Sequence, residues 1–441
     1  MLGWRDSASR IMRPLQRIFI ILSCLFLIYL GLQLRIGGNT PGSPAPQSFL
    51  GEKASQPSFS NLSLSHAQCA AAFPGLFNEI EGAVSRGPFP LTWSRLGEPL
   101  QGRIKDSQVQ LYILNWQKKA FLSQQMLNER TAALNQLYRA IVTSSEPLPD
   151  TVFALNIQDR PMAQSWSYAR AADPTATKAG DFLMPHFAFW AWSLKYIGSM
   201  DRALTAITEI ETNQTFQAKI PQAVWRGTPW FNDVQNHDLR KRLIQVTTGK
   251  PWADVQSLKW ETNGQAASNG LAIEDFCRYK YIIYTEGVTY SGRLLFHQAC
   301  RSIILTPPMA WMLHTTHLVR PVFSSTLLQT EPSLGPPHQS DRIKRAWPTD
   351  LNADNANLVM VSPDWSDLEA TIAWLENHPT MAEGIADRQR ELFYEEGYLS
   401  PAAETCYWRA LIRGWSKVVE PEGSEWSEQG VRWELFSLGE F

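Results

Sequence analysis

The apolar positions divide the chain into a membrane-like run, a patternless stretch and two series of alternating helix and strand signals. Residues 18–34 (IFIILSCLFLIYLGLQL) carry no charge. At 1.5 Å per residue such a run reaches about 25 Å, close to the lower limit for a helix crossing a bilayer. Residues 37–57 mix Gly, Pro and Ser without apolar periodicity, as in a flexible stem. Beyond it, Leu122, Met126, Leu127, Leu134, Leu137 and Ile141 recur at helical spacing and predict an amphipathic helix within 120–141. The run 151–156 (TVFALN) predicts a buried strand; Pro161 stops regular structure, leaving Asp159 on the loop past the strand's carboxyl end.

A second series starts near Lys219. Residues 281–285 (YIIYT) favour strand, 291–299 helix and 302–305 (SIIL) strand again, a unit that builds parallel sheets. The polar stretch 331–357 carries Pro-Pro and few strand formers and reads as an insertion or loop. Three closing helices are expected, at 367–376 behind a cap at Ser366, at 380–395 and at 403–419. In the last, Tyr407, Leu411, Trp415 and Val418 form one apolar stripe. The fold class is α/β.

Charge places the chain in a compartment. Arg5, Arg10, Arg13 and Arg17 precede the apolar run, so 1–17 is expected to be a cytoplasmic tail, 18–34 an uncleaved transmembrane signal anchor, 35–60 the stem and the rest lumenal. A removable signal peptide is the competing reading. Sequons at Asn61 and Asn213 agree with a lumenal address, in the endoplasmic reticulum or Golgi. Of five cysteines, Cys24 lies in the apolar run; Cys69, Cys277, Cys300 and Cys406 are left as an even set expected to pair in an oxidising space. Forty basic against 42 acidic residues leave a net charge of −2, without the basic field that nucleic-acid binding needs. The 18 Trp suit stacking on sugar faces, and equally the filling of cores.

The turn 286–293 (EGVTYSGR) combines Gly287 for a sharp bend, Ser291 as a candidate helix cap and Arg293 as a fork for a diphosphate. Trp225-Arg226-Gly227 again sets an arginine beside a glycine and an aromatic ring. Asp159 is the best-placed carboxylate for a general base, unless Arg160 pairs with it. His186, His297 and His317 show no triad spacing and read as packed or surface histidines. No D-x-D, H-E-x-x-H, G-x-S-x-G or P-loop motif occurs, so neither a metal site nor a serine nucleophile is indicated.

Trp225-Arg226-Gly227, then 275–281 (DFCRYKY), Glu286-Gly287, 290–293 (YSGR), 300–302 (CRS) and 406–408 (CYW) occur in an order that resembles glycosyltransferase family 90. That family includes protein O-glucosyltransferases and fungal capsule-associated xylosyltransferases, and a fungal member is the expectation. The resemblance implies a GT-B-like fold of two Rossmann-like lobes with a cleft between them: 61–218 bearing the acceptor and base, 219–400 the nucleotide-sugar, and 401–441 packing back on the first lobe. It implies an inverting, metal-independent transfer of xylose or glucose from a UDP-sugar to a glycan or glycoprotein, with no cofactor. Asp159 would be the base, and Trp225, Arg226, Gly227, Glu286, Gly287, Ser291 and Arg293 the donor site. Cys277–Cys300 and Cys69–Cys406 would be its disulfides. Two other readings remain: an inactive carbohydrate-binding protein of the same fold, and a glycoside hydrolase pairing Glu286 with Asp159 across about 10 Å.

Overall fold

In the second series the inner strands are apolar at consecutive positions, because both faces of the sheet are buried there, while the edge strand Ala253–Ser257 is only half-buried. Ala223, Trp225, Tyr281, Ile283, Ile303, Leu305 and Val359 point into one core, while Val224, Ile282, Ile304, Leu358 and Met360 point into the other. This is the pattern of a parallel sheet covered on both sides. The computed structural model describes residues 59–94, 98–105, 110–115, 122–231, 236–261, 266–329 and 340–439. The expected tail (1–17), the anchor (18–34) and all but the end of the stem lie outside these residues; among the described residues no helix is long and apolar enough to cross a membrane.

The parallel sheet has six strands in the spatial order Pro321–Phe323, Leu358–Met360, Ile303–Thr306, Tyr279–Ile283, Ile220–Gly227, Ala253–Ser257. From Ile220–Gly227 the chain visits the outer neighbour Ala253–Ser257, then crosses to the other side at Tyr279–Ile283. A crevice opens at such a reversal, outside the carboxyl ends of the two strands involved.

The other six-stranded sheet is mixed, in the order Val431–Arg432, Gln110–Ile113, Leu100–Lys105, Thr151–Leu155, Ser165–Ser167, Asp181–Leu183. Only its last three strands are mutually parallel. The helix Gln124–Val142, capped by Ser123, and the helix Pro401–Trp415, capped by Ser400, belong to its core. The apolar stripe expected there is buried, but the helix ends at Trp415 rather than at 419, so Val418 lies past it and Val419 opens a strand; Trp415 Nε1 donates to the Val152 carbonyl at 2.8 Å. Both disulfides form: Cys69–Cys406 fastens this helix to His66–Ala72, and Cys277–Cys300 lies in the parallel half. Asn61 and Asn213 are exposed.

Three further local expectations are corrected. The helix expected over 291–299 is the single turn Arg293–His297, whose N-cap is Gly292; Ser291 lies outside it and does not cap it. The helix Leu368–Asn377 begins after Asp367 rather than Ser366, and the Asp367 carboxylate accepts from the Ser362 backbone and from the Ser324 and Ser362 hydroxyls. Within the stretch read as a loop, Ser340 caps a helix, Asp341–Ala346, that Arg345 ties to Asp173 at 2.6 Å, and Trp347 is buried. Asp173 and Trp347 are far along the chain from each other, so only tertiary contacts order this segment.

Candidate active site

Asp159 is set by its own loop. The Asn156 side chain accepts from the Gln158 N–H at 3.0 Å and donates to the Arg160 carbonyl at 2.8 Å, folding the chain into an Asx-type turn at the end of Thr151–Leu155. Across the cleft, the Thr289 hydroxyl donates to the Asp159 carbonyl, bringing the 286–293 turn against that loop. Among the described residues neither Asp159 nor Arg160 enters an ion pair, so the carboxylate is not neutralised by its neighbour. Asp159 is exposed on the cleft wall, yet burial of its carboxyl by the surrounding protein raises its pKa above the usual aspartate range.

One cavity of about 550 Å³ is lined by Asp159 together with Arg226, Gly227, Gly287, Ser291 and Arg293. Its floor is the crevice at the strand reversal. Within it the arginines differ. Arg226 gives four N–H groups to protein acceptors, pairing with Asp254 at 2.9 Å and reaching the Asp254, Trp225 and Asn269 carbonyls. Among the described residues Arg293 has only the Arg226 carbonyl and a long 3.4 Å contact to Ser291 Oγ. Among the described residues no carboxylate pairs with Arg293. Burial lowers its pKa to about 10, so it stays charged at neutral pH.

Trp225 and Glu286 are not on the cavity wall. Trp225 is fully buried and donates to Thr285 Oγ1 at 3.0 Å; its ring lies where a Cβ on Gly227 would stand, which explains the glycine. The Glu286 carboxylate accepts the Ala310 and Trp311 backbone N–H groups at 2.8–3.1 Å. Residues Trp311–Met312 pair with Arg170–Ala171, so Glu286 anchors the turn to a ladder that joins the two halves. These two residues shape the site from behind.

Sequence reasoning missed several wall residues. Arg240 is buried in the helix Leu239–Thr247 and donates to the Glu286 and Thr228 carbonyls at 3.0 Å each. Burial and the Arg293 charge lower its pKa to about 9, and no carboxylate pairs with it among the described residues. It sits in a run, Arg240-Lys241-Arg242, that resembles a solvated basic face; the spacing to Leu243 and Thr247 was the sign that Arg240 faces inward. Glu129, in the helix Gln124–Val142, is buried on the face shared with Ala132, Ala133, Gln136 and Ala140. Burial raises its pKa to about 7, with the Asp159 charge adding to the effect. His186, expected to be merely packed or on the surface, is buried but lines the cavity. Its Nδ1 accepts from the Ala188 N–H, so the proton resides on Nε2.

These buried groups set the response to pH. Burial holds His186 and His314 down to about 3, with charge from His314 and His317 respectively adding to the effect. The unfolded chain, with histidines near 6.5, therefore takes up more protons between those values, and stability is lost as pH falls through them. Glu129 and Glu404, raised by burial from 4.5 to about 7, act oppositely: their stabilisation is present below 4.5 and is lost as pH rises to 7. Burial, with the Arg293 charge adding to it, also holds His297 well below the usual histidine range, so three histidines outweigh the two glutamates: the melting temperature is expected to fall gently as pH drops from 6.5 to 4.5 and steeply below 4.5. Thermal unfolding in a pH series reads this; a protein that grows more stable on acidification below 4.5 contradicts it.

The sequence profile of Glycosyl transferase family 90 matches residues 99–323, just over half the chain. That span contains every cavity-lining residue named above. Over 293 residues the chain is 26% identical to "O-glucosyltransferase rumi homolog" of Aedes aegypti, an alignment covering 62% of this chain and 63% of that protein. It is 23% identical over 295 residues to "O-glucosyltransferase rumi" of Drosophila melanogaster, covering 62% of each. It is 20% identical over 288 residues to "Protein O-glucosyltransferase 1" of Homo sapiens, covering 62% of this chain and 64% of that one. The chain thus matches less than two-thirds of the length of each of these relatives.

Proposed function

The chain belongs to glycosyltransferase family 90, and from that premise we propose that it transfers a sugar, xylose or glucose, from a UDP-sugar to a hydroxyl of a glycan or glycoprotein, with inversion and without a metal ion. Its two sheets serve as the lobes of a GT-B-like pair, the parallel one holding the donor. It works in the lumen of the endoplasmic reticulum or Golgi, anchored as a type II protein through residues 18–34. The names of the relatives, which specify O-glucosyl transfer, support the reaction class.

The observation that carries the reading is one cavity lined by the Asp159 carboxylate and by two guanidinium groups, Arg293 and Arg240, that have no carboxylate partner among the described residues. Asp159 takes the proton of the acceptor hydroxyl as its oxygen bonds to the anomeric carbon. The bond from that carbon to the β-phosphate oxygen breaks, and its electron pair leaves with UDP. Negative charge on the diphosphate grows along this path, so the fixed charges of Arg293 and Arg240 act most strongly at the transition state. Arg226 braces the wall and lends its remaining N–H. Gly287 leaves room for the Tyr290 carbonyl, which a Cβ at that position would approach to 2.9 Å.

The hydrolase reading, as a pairing of Glu286 with Asp159, loses Glu286, whose carboxylate is taken by the Ala310 and Trp311 amides and does not line the cavity. The inactive reading requires loss of Asp159 or Arg293, and both are in place. Purified protein incubated with a panel of UDP-sugars separates the three. Transfer predicts UDP release that depends on added glycan or glycoprotein acceptor; equal release in water alone favours hydrolysis, and none with any donor favours the inactive protein.

A further inference from the structure

The cavity holds a second acid that the transfer step does not use. Glu129 is 9% exposed, and its Oε1 accepts from the Gln125 amide at 2.8 Å. Among the described residues its Oε2 has no hydrogen-bond partner, and Glu129 enters no ion pair. That oxygen is not sealed in the protein but opens onto the cavity, where a ligand hydroxyl can replace solvent as its partner. That ligand is not the donor diphosphate, because a carboxylate beside a diphosphate is repelled. Glu129 and Asp159 line the same cavity closely enough for the Asp159 charge to act on Glu129, so the hydroxyl that Glu129 meets belongs to the substrate that gives its proton to Asp159 rather than to the donor sugar.

A second, independent group points the same way. His186 is 1% exposed and, with Nδ1 occupied, presents Nε2–H where no acceptor meets it among the described residues. A Cβ on Gly292 would stand 2.5 Å from that nitrogen, so only glycine leaves room there. Trp192 and Tyr290 add aromatic rings to the same cavity. Flat rings for the C–H face of a pyranose, with acid and imidazole groups at hydroxyl height, make up a carbohydrate site.

Resting on the transferase reading above, we infer that Glu129 binds the acceptor, and that the acceptor is a sugar carrying a second hydroxyl beside the reacting one. Asp159 receives the proton of the reacting hydroxyl, and Glu129 pairs with its neighbour. A serine or threonine side chain brings one hydroxyl and leaves Glu129 Oε2 empty. A pyranose brings two on adjacent carbons.

Binding to the full-length protein saturated with UDP tests this, using methyl glycosides of glucose, galactose, mannose and xylose, their monodeoxy analogues and a serine-containing peptide, by saturation-transfer NMR. At least one glycoside binds, and one of its deoxy analogues binds about tenfold more weakly. Glu129→Ala weakens the parent glycoside by about tenfold and no longer distinguishes that analogue, while Glu129→Gln restores part of the affinity. UDP affinity stays within twofold in both variants, which a merely structural role would not produce. The inference is overturned if only the peptide binds, if no glycoside binds, or if Glu129→Ala keeps the discrimination. Glycoside binding that depends on Glu129 without turnover of any UDP-sugar overturns the transferase reading and leaves the acceptor site standing.

Discussion

Asp159→Asn is expected to give a folded protein that binds UDP as tightly as the parent and transfers sugar at least about a hundredfold more slowly, the usual size of a general-base contribution. The structure makes this a clean substitution. The loop is braced by the Asn156 side chain, and the bond from Thr289 goes to the Asp159 carbonyl, which the change leaves in place. The Asp159 side chain enters no ion pair among the described residues, so no partner is orphaned. The amide fills the same volume but does not take a proton. Because crowding raises the carboxyl's pKa, its charged form is slightly unfavourable in the fold, and the neutral amide should not lower the melting temperature. Initial rates with saturating UDP-sugar, alongside UDP titration by calorimetry, read the two halves. Transfer within threefold of the parent rate would falsify the base assignment.

What was legible beforehand follows from what local sequence encodes. The strands at 151–156, 281–285 and 302–305 were readable because strands buried on both faces are apolar without interruption, and Asp159 was placed because Pro161 marks where its strand must stop. The disulfides came from resemblance alone; a pairing 337 residues apart in sequence has no local signature. Resemblance also named Arg226 and Glu286, but could not say that one is spent on Asp254 and the other on the Ala310 and Trp311 amides. Such commitments are tertiary, made by residues about 25 positions away. Arg240 and Glu129 were overlooked for the opposite reason: a charge on a helix is usually solvated, and only its register against Leu243 or Ala133 shows that it faces inward. The mixed order of the first sheet was hidden because its strands, short and separated by unlike connections, carry no sign of direction.

The second large effect concerns Arg293, and here binding and stability should part. Arg293→Met is expected to weaken UDP by about tenfold to a hundredfold, the worth of one or two charge-assisted hydrogen bonds, and to slow transfer by about a further hundredfold. The same change should leave the melting temperature level or higher. Among the described residues Arg293 holds only the Arg226 carbonyl and a 3.4 Å contact to Ser291, while its charge repels that of Arg240 in a poorly hydrated site. Deleting it relieves that repulsion and the burial of an unpaired cation, which together offset the lost hydrogen bond. Arg240→Met is the contrast. Its guanidinium donates to two buried carbonyls, Glu286 and Thr228, so removing it takes a charged donor from each and should cost about 2 kcal/mol of stability as well as UDP affinity. Arg293→Lys, which keeps the charge but loses the fork, should fall between parent and Met in UDP affinity. Calorimetric UDP titration and thermal unfolding of the three variants give the pattern directly. Unchanged UDP affinity in Arg293→Met would remove the donor site from this cavity, and a large loss of stability there would show that Arg293 holds the fold together rather than standing ready for an anion.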